Sequence, residues 1–115
     1  LNDLETMGLL FESLVVRDLR IYTESLGGKV YHYRDHSGQE ADAILHFNNG
    51  QWGGIEVKLG NRAIDEGAES LKKLADKIDQ NSMNSPSFLA VITGSGYAYR
   101  RKDGVYVIPI GCLRN

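Results

Sequence analysis

Disulfide bonds and membrane-spanning segments are both missing from this sequence. Its single cysteine, Cys112, has no partner within the chain, which excludes an internal disulfide and makes a reducing cytoplasm the simpler setting. No apolar run approaches the roughly 20 residues that cross a bilayer, and the N-terminus lacks the basic-then-apolar layout of a signal peptide. We therefore expect a cytoplasmic protein that makes no membrane contact.

Positive charge is also scarce. The chain has 13 lysines and arginines against 15 aspartates and glutamates, which gives a formal net charge of −2. A protein that binds duplex nucleic acid alone usually carries a basic excess, because neutralising phosphates supplies most of the affinity. A nucleic-acid function would therefore need a local basic patch, a metal ion, or help from a larger protein.

Length and periodicity predict one α/β domain that spans residues 1–115. The chain begins with Leu1 rather than Met, so we expect a fragment of a longer protein. Apolar residues first recur at helical spacing and then alternate as in strands, with Gly27-Gly28 and Asn49-Gly50 as turn signals. The predicted order is a helix at 3–26, strands at 29–35, 40–47 and 52–59, a helix at 64–80, a strand at 88–92, and a hairpin of 97–101 with 105–110.

The second helix would act as a crossover connection, which sets the strand after it parallel to the strand before it. Since the first three strands form an antiparallel meander, the central sheet would be mixed. On the first helix, we predict a core-facing stripe that comprises Leu4, Met7, Phe11, Leu14, Leu19 and Tyr22.

Two acidic residues on neighbouring strands carry the main chemical signal. Side chains alternate along a strand, so Asp42 would share a face with Glu40 and Ile44, and Glu56 would share a face with Lys58. A short hairpin brings Asp42 and Glu56 side by side, where two carboxylates repel each other in a medium of low polarity. A divalent cation such as Mg²⁺ or Mn²⁺ would remove that repulsion.

Glu12 on the first helix adds a third carboxylate. Its helical neighbours at three and four residues are uncharged, which indicates that the side chain is half-buried and needs a partner. In the resulting hypothesis, Asp42, Glu56 and the backbone carbonyl of Val57 hold the metal, and Glu12 binds it through water or orients the other ligands. Lys58 orients the attacking water and stabilises the charge on the phosphate.

These segments resemble a known superfamily. Glu40-Ala41-Asp42 and Ile55-Glu56-Val57-Lys58, after a helix that carries Glu12, look like the PD-(D/E)XK nucleases, although Ala41 stands where the motif has proline. Leu10-Phe11-Glu12, Tyr33-Arg34-Asp35 and the run 38–42 resemble more narrowly the uncharacterised C-terminal domain of many prokaryotic AAA+-type ATPases. That resemblance implies a restriction-endonuclease-like core, an ATP-binding domain upstream, and a homo-oligomer formed through that ATPase.

Two functions stay open at this point. The first is metal-dependent hydrolysis of phosphodiester bonds in DNA; the second is a catalytically inactive module that regulates or docks the ATPase or binds a protein. Arg34 and Glu40 could form a cross-strand ion pair or contact substrate. In the closing hairpin, Arg100, Arg101 and Lys102 combine with tyrosines and could contact a single strand, or they could simply form a polar surface.

Overall fold

The computed structural model describes residues 3–79 and 85–113. Within them the predicted order of elements is confirmed, and most boundaries fall within one or two residues of those predicted. The helices and strands are α1 (Asp3–Ser25), β1 (Lys29–Arg34), β2 (Glu40–His46), β3 (Trp52–Lys58), α2 (Ile64–Asp79), β4 (Phe88–Thr93), β5 (Tyr99–Arg100) and β6 (Tyr106–Pro109). Gln80, the predicted last residue of the second helix, lies outside the described residues.

One mixed sheet of six strands forms the centre of the fold, in the order β1-β2-β3-β4-β6-β5. The meander β1-β2-β3 is antiparallel, whereas β4 runs parallel to β3 after the α2 crossover. β6 is parallel to β4 and antiparallel to β5, so the predicted closing hairpin is present as well. The long apolar run of β4 fits its central position, since both of its faces are covered.

The two helices cover opposite faces of this sheet. The core on the α2 side includes Trp52, Leu71, Leu74 and Val91, and the core on the α1 side includes Val15, Leu19, Ile55 and Ile92. β3 contributes to both, because its residues alternate between the two layers. The carboxyl end of β3 therefore lies between two helices, and this is where Glu56 and Lys58 stand.

α1 ends as predicted, at the glycine pair that follows it. Gly27 has a φ of 82°, a left-handed conformation that suits glycine at a helix C-terminus. Its N–H donates to the carbonyl of Glu24 at 3.0 Å, and the N–H of Gly28 donates to the carbonyl of Thr23 at 3.0 Å. These bonds satisfy carbonyls at the helix end and turn the chain into β1.

The face that α1 turns to the sheet differs from the prediction. Leu14 and Tyr22 are 52% and 62% exposed, and the buried stripe instead runs through Phe11, Val15 and Leu19 at a spacing of four. The side chains of Leu4 and Met7, which the prediction also placed on the core face, lie outside the described part of the chain. Periodicity therefore placed Phe11 and Leu19 correctly, but it also chose Leu14 and Tyr22 and missed Val15, because α1 carries apolar residues on several faces.

A β-bulge in β2 also changes the predicted side-chain directions. Tyr31 pairs with Ile44 but Tyr33 pairs with Ala41, so β2 has one more residue than β1 between these pairs. As a result Ala41 packs in the core on the α2 side, whereas Ala43 packs on the α1 side. The prediction that Glu40, Asp42 and Ile44 share one face is therefore wrong, and the bulge falls at Asp42 itself.

Among the described residues, no helix is long and apolar enough to cross a membrane.

Candidate active site

Asp42 lies where β2 and β3 stop pairing. The paired residues of these strands run from His46 opposite Trp52 to Ala43 opposite Ile55, and do not continue to Asp42. Instead, the Oδ2 atom of Asp42 accepts a hydrogen bond of 2.6 Å from the backbone N–H of Val57. The bulge and this bond together fix the Asp42 carboxylate between the two strands, next to Glu56.

Glu56, the residue that precedes Val57, is one of the few buried charged groups among the described residues. Its side chain is only 8% exposed. Burial, followed by repulsion from Asp42, raises the pKa of Glu56 from an ordinary 4.5 to about 8, against the opposing effect of Lys58. Near neutral pH the carboxyl therefore holds a proton unless a further positive charge is supplied.

Glu12 of α1 approaches Asp42 from the other side, half-buried as predicted. Burial raises the pKa of Glu12 to about 7, and the charge of Asp42 and a side-chain hydrogen bond with it add to the shift. A side-chain hydrogen bond also links Asp42 to Glu56. Asp42 is thus in contact with both glutamates.

Lys58 is the cation nearest this group of carboxylates. Its ammonium lies 4.0 Å from Oε2 of Glu56 and 3.8 Å from Oε1 of Glu66, and its side chain is 26% exposed. Gly67 of α2 lets the helix approach closely, since a Cβ atom at that position would lie 3.3 Å from both Cγ of Lys58 and Cγ2 of Val91. The lysine stem is therefore packed under α2 while its charged end stays accessible.

The donor set fits a divalent cation with few protein ligands. Among the described residues, no group of three or more His, Cys, Asp or Glu side chains is placed to ligate one ion. Mg²⁺, however, commonly uses one or two carboxylates and completes its shell with water and substrate phosphate. Asp42 and Glu56 supply two such carboxylates in contact, and burial and the charge of Asp42 raise the pKa of Glu56. The ligand roles of the Val57 carbonyl and of Glu12 stay predictions.

The turn that precedes β2 is tied firmly to α2. Asp35 accepts hydrogen bonds from the backbone N–H groups of Ser37 and Gln39 at 3.0 and 3.1 Å, and its other oxygen lies 2.6 Å from the ammonium of Lys77. The side chain of Gln39 donates to the carbonyl of Ser70 at 2.9 Å. The first residue of β2 follows directly, so these contacts place the strand that carries Asp42 relative to the helix above Lys58.

Residues 7–113 match the family model of DUF4143, a domain of unknown function. The chain belongs to this family. The match agrees with the predicted resemblance to an uncharacterised domain, and it leaves membership of the nuclease superfamily open. No curated protein is similar enough in sequence to match the chain.

A solved structure with a comparable arrangement comes from the tetradecameric assembly of Thermococcus gammatolerans McrB AAA+ hexamers with bound McrC. The sequences are 13% identical and the TM-score is 0.48. The similarity covers 90% of this chain and 27% of that one, so the DUF4143 domain spans about a quarter of that chain's length. A likeness at this level carries no argument about function or partners.

Arg34 and Glu40 form the cross-strand ion pair that was one of their two predicted roles. Nη2 of Arg34 lies 3.2 Å from Oε2 of Glu40, at the last pair of residues between β1 and β2. The side chains of Arg34 and Glu40 are 73% and 46% exposed, so solvent screens the pair and it contributes little to stability. Contact with substrate stays a prediction for both.

The basic residues of the closing hairpin have their own partners in the DUF4143 domain. Arg101 bonds with Asp65 and lies 3.2 Å from Asp103, while the guanidinium of Arg100 stands 5.5 Å from the ring centre of Tyr106. The contact with Asp65 fastens the hairpin to the start of α2, whereas the other two contacts lie within the hairpin. The predicted role of Arg100, Arg101 and Lys102 in binding a single strand stays untested.

Two cavities flank the carboxylates. One, here called the α2-side cavity, has a volume of about 500 Å³ and is lined by Ser37, Gly38, Gln39, Glu40, Glu56, Lys58, Glu66, Glu69, Ser70 and Lys73. The other, here called the α1-side cavity, has a volume of about 320 Å³ and is lined by Glu12, Ser13, Val16, Arg17, Arg20, His32 and Asp42.

The residues that sequence reasoning missed are Arg17 and Arg20. Both belong to α1 and line the α1-side cavity together with Glu12 and Asp42. Residues three or four positions apart on a helix project in similar directions, so the spacing of Arg17 and Arg20 predicts that they lie together.

Proposed function

We propose that this DUF4143 domain hydrolyses phosphodiester bonds in DNA with the help of a divalent metal ion. The observation that carries the proposal is the contact between two carboxylates, Asp42 and the buried Glu56, with the ammonium of Lys58 4.0 Å from Glu56. A purely structural site would gain stability by replacing the buried Glu56, whose charged form is opposed by burial and by Asp42, with a neutral residue. Two acids in contact beside a lysine are instead expected at a site that binds a cation.

Asp42 and Glu56 are the residues that would hold Mg²⁺ or Mn²⁺. Such an ion, when bound, lowers the pKa of a coordinated water molecule and polarises a phosphate oxygen. The bond from the Val57 N–H holds the Asp42 carboxylate in one orientation, so this ligand is already in place before an ion arrives. Glu56 would release its proton to solvent on binding such an ion, because the added positive charge would offset the repulsion from Asp42.

Lys58 and Glu12 contribute the remaining roles. The accessible end of Lys58 donates hydrogen bonds to the attacking water and to the phosphate as negative charge develops there. Its neighbour Glu66 is largely exposed, so this contact is weak and can give way to substrate. Glu12 touches Asp42 from α1 and accepts a proton or a water molecule on that side of the site.

The partner that the sequence resemblance implies is an AAA+-type ATPase within the same polypeptide. On this proposal ATP binds to that upstream domain and none of the described residues contacts it. The ATPase would engage or remodel DNA, and oligomerisation of the ATPase would bring several copies of the domain together. The net negative charge of the domain fits this arrangement, since the ATPase would add to the DNA affinity that the domain has by itself.

A second candidate is a module that has lost catalysis and docks or regulates the ATPase. Two observations favour it: no group of three metal-binding side chains occurs among the described residues, and Lys58 lies between two glutamates. In that case the group of carboxylates and lysine is a buried ion-pair network. Its loss would alter stability and ATPase activity, with no cleavage to lose.

Cleavage of labelled DNA separates the two candidates. Single-stranded, duplex and branched substrates are incubated with Mg²⁺ or Mn²⁺ and with the wild-type chain, Lys58→Ala or Lys73→Ala. The nuclease proposal predicts metal-dependent products that Lys58→Ala reduces by about 100-fold or more, as for loss of a group that stabilises transition-state charge. Lys73→Ala, which removes an exposed lysine from the same cavity, should cleave normally. Absence of cleavage by a folded wild-type chain on every substrate would favour the docking module.

A further inference from the structure

The two cavities beside the carboxylates differ in charge. The α2-side cavity is lined by four glutamates against two lysines, so its surface repels phosphate. The α1-side cavity is lined by two arginines and a histidine against two carboxylates, and one of these, Asp42, would face a bound cation. Only one of the two therefore offers a favourable approach for a polyanion.

The arginines of the α1-side cavity are available for a ligand. The one ion pair found for Arg17 within the described residues is with Asp18 at 3.9 Å, between side chains that are 69% and 58% exposed. Arg20 takes part in no ion pair or hydrogen bond found in that same part of the chain, and it is exposed. Breaking such a solvated contact costs little, whereas a guanidinium can bind phosphate through two parallel hydrogen bonds.

His32 completes the lining from the sheet. It is the residue of β1 that falls between the pairs Tyr31–Ile44 and Tyr33–Ala41, so it stands opposite the bulge that carries Asp42. Its side chain is exposed. An imidazole at that point lies on the other wall of the cavity from α1, next to the carboxylate that would hold metal.

We propose that the α1-side cavity is where the nucleic-acid backbone approaches the site, with Arg17, Arg20 and His32 contacting phosphates next to the scissile one. This inference rests on the proposed function and adds the direction from which the substrate reaches it. The backbone passes along α1 and over the bulge, and its scissile phosphate meets Asp42 and Glu56 from that side. The α2-side cavity is then left for water and for the ammonium of Lys58.

Binding can be measured apart from cleavage, by fluorescence anisotropy of a labelled single-stranded oligo-dT with Ca²⁺ in place of Mg²⁺. The test variant is Arg17→Ala/Arg20→Ala. The matched control is Arg62→Ala/Lys73→Ala, which removes two exposed cations from outside the α1-side cavity and changes the net charge equally. Thermal unfolding of each variant verifies that it is folded.

Loss of both arginines should weaken binding by at least about tenfold, the factor that corresponds to one charge-assisted hydrogen bond. The slope of log K against log salt should become shallower by about 1.4, since each phosphate contact on a single strand contributes about 0.7. The control should bind like the wild type. His32→Ala should weaken binding less than the double arginine variant, because it removes one phosphate contact rather than two guanidinium groups.

Equal loss in both double variants, or a larger loss in the control, would overturn the inference, and so would a wild-type chain that does not bind the oligonucleotide. The cleavage assay with Lys58→Ala is scored separately. Selective loss of binding without any cleavage by the wild type would support this approach path and count against the nuclease. If Lys58→Ala abolishes cleavage but Arg17→Ala/Arg20→Ala leaves binding unchanged, the result would support the nuclease and count against this approach path.

Discussion

The carboxylate of Asp42 accepts the backbone N–H of Val57 at 2.6 Å, at the point where β2 and β3 stop pairing. A side chain thus takes the place of a strand carbonyl, and the residue that precedes Val57 is the buried Glu56. The same bond satisfies a backbone donor and brings two acids together. Asp42 therefore has two roles, as a hydrogen-bond acceptor that stabilises the fold and as a proposed metal ligand. Substitutions of Asp42 that keep or remove the acceptor can separate these roles.

Asp42→Asn and Asp42→Ala should differ in stability. Asparagine keeps an oxygen that can accept the Val57 N–H, whereas alanine leaves this donor without a partner, at a cost of about 1–3 kcal/mol. Both variants remove the charge that repels Glu56, so that gain cancels in the comparison. Urea unfolding at pH 7 should therefore rank Asp42→Ala about 1–3 kcal/mol below Asp42→Asn. Equal free energies of unfolding would show that the bond contributes nothing.

The stability of the metal-free domain should fall as pH rises from about 4.5 to about 8. Glu56 has an ordinary pKa of 4.5 when unfolded and about 8 when folded, so the folded state binds more protons within this window. Glu12, with a folded pKa of about 7, acts in the same direction. The contribution of each glutamate to stability is fully present below its pKa in the unfolded chain. It is lost as the pH rises through its pKa in the folded domain.

Glu56→Gln is the variant that checks this account of the pH dependence. Glutamine stays neutral at every pH, so the melting temperature in the presence of a chelator should change less between pH 5 and pH 8 than that of the wild type. At pH 8 the variant should be the more stable of the two. A wild-type melting temperature that rises steadily over this range would contradict the assignment of the buried charge to Glu56. The same pH dependence in Glu56→Gln and the wild type would also contradict it.

The turn before β2 should be a determinant of both stability and site geometry. Asp35→Ala removes the acceptor of the Ser37 and Gln39 N–H groups and the partner of Lys77, so its melting temperature should fall more than that of Lys77→Ala. The matched control is Asp76→Ala, an exposed carboxylate on α2, which should melt like the wild type. Circular dichroism melts at pH 7 provide the comparison.

Low pH should remove the contribution of Asp35 to the stability of the fold. The hydrogen bond from Lys77, followed by that from Ser37, holds the pKa of Asp35 well below its usual value of 3.8. A depressed pKa stabilises the fold above the unfolded value, and this stabilisation is lost as pH falls through the folded pKa. The difference between wild type and Asp35→Ala should therefore be constant near neutral pH and shrink below about pH 3.8. A difference that persists unchanged in acid would point to packing instead.

The order of elements was predictable because each one is marked locally. Alternating residues, the Asn49-Gly50 turn and the glycines after α1 define the meander, and the apolar run of β4 indicates a central strand. Pairing between neighbouring strands then placed Glu56 near Asp42 without any knowledge of tertiary contacts. These are consequences of short-range geometry.

The bulge at Asp42 and the buried face of α1 were not predictable for the opposite reason. Strict alternation assumes a regular strand, and one extra residue reverses every direction beyond it. On α1 the apolar Leu10, Leu14 and Ile21 are exposed, so the sequence offers more than one apolar stripe and tertiary packing selects between them. Long-range contacts such as that of Lys77 with Asp35 depend on how α2 crosses the sheet, and no local pattern records this.

Binding of Mn²⁺ at pH 8 tests the central claim most directly. Titration followed by electron paramagnetic resonance should show one ion per chain, with binding abolished in Glu56→Gln and retained in Glu66→Gln, whose carboxylate touches Lys58 but lies on the exposed surface. Glu56→Gln should also lose the rise in melting temperature that Mn²⁺ gives the wild type. No stoichiometric binding by the wild type, or equal binding by Glu56→Gln, would contradict the assignment of Asp42 and Glu56 as a metal site.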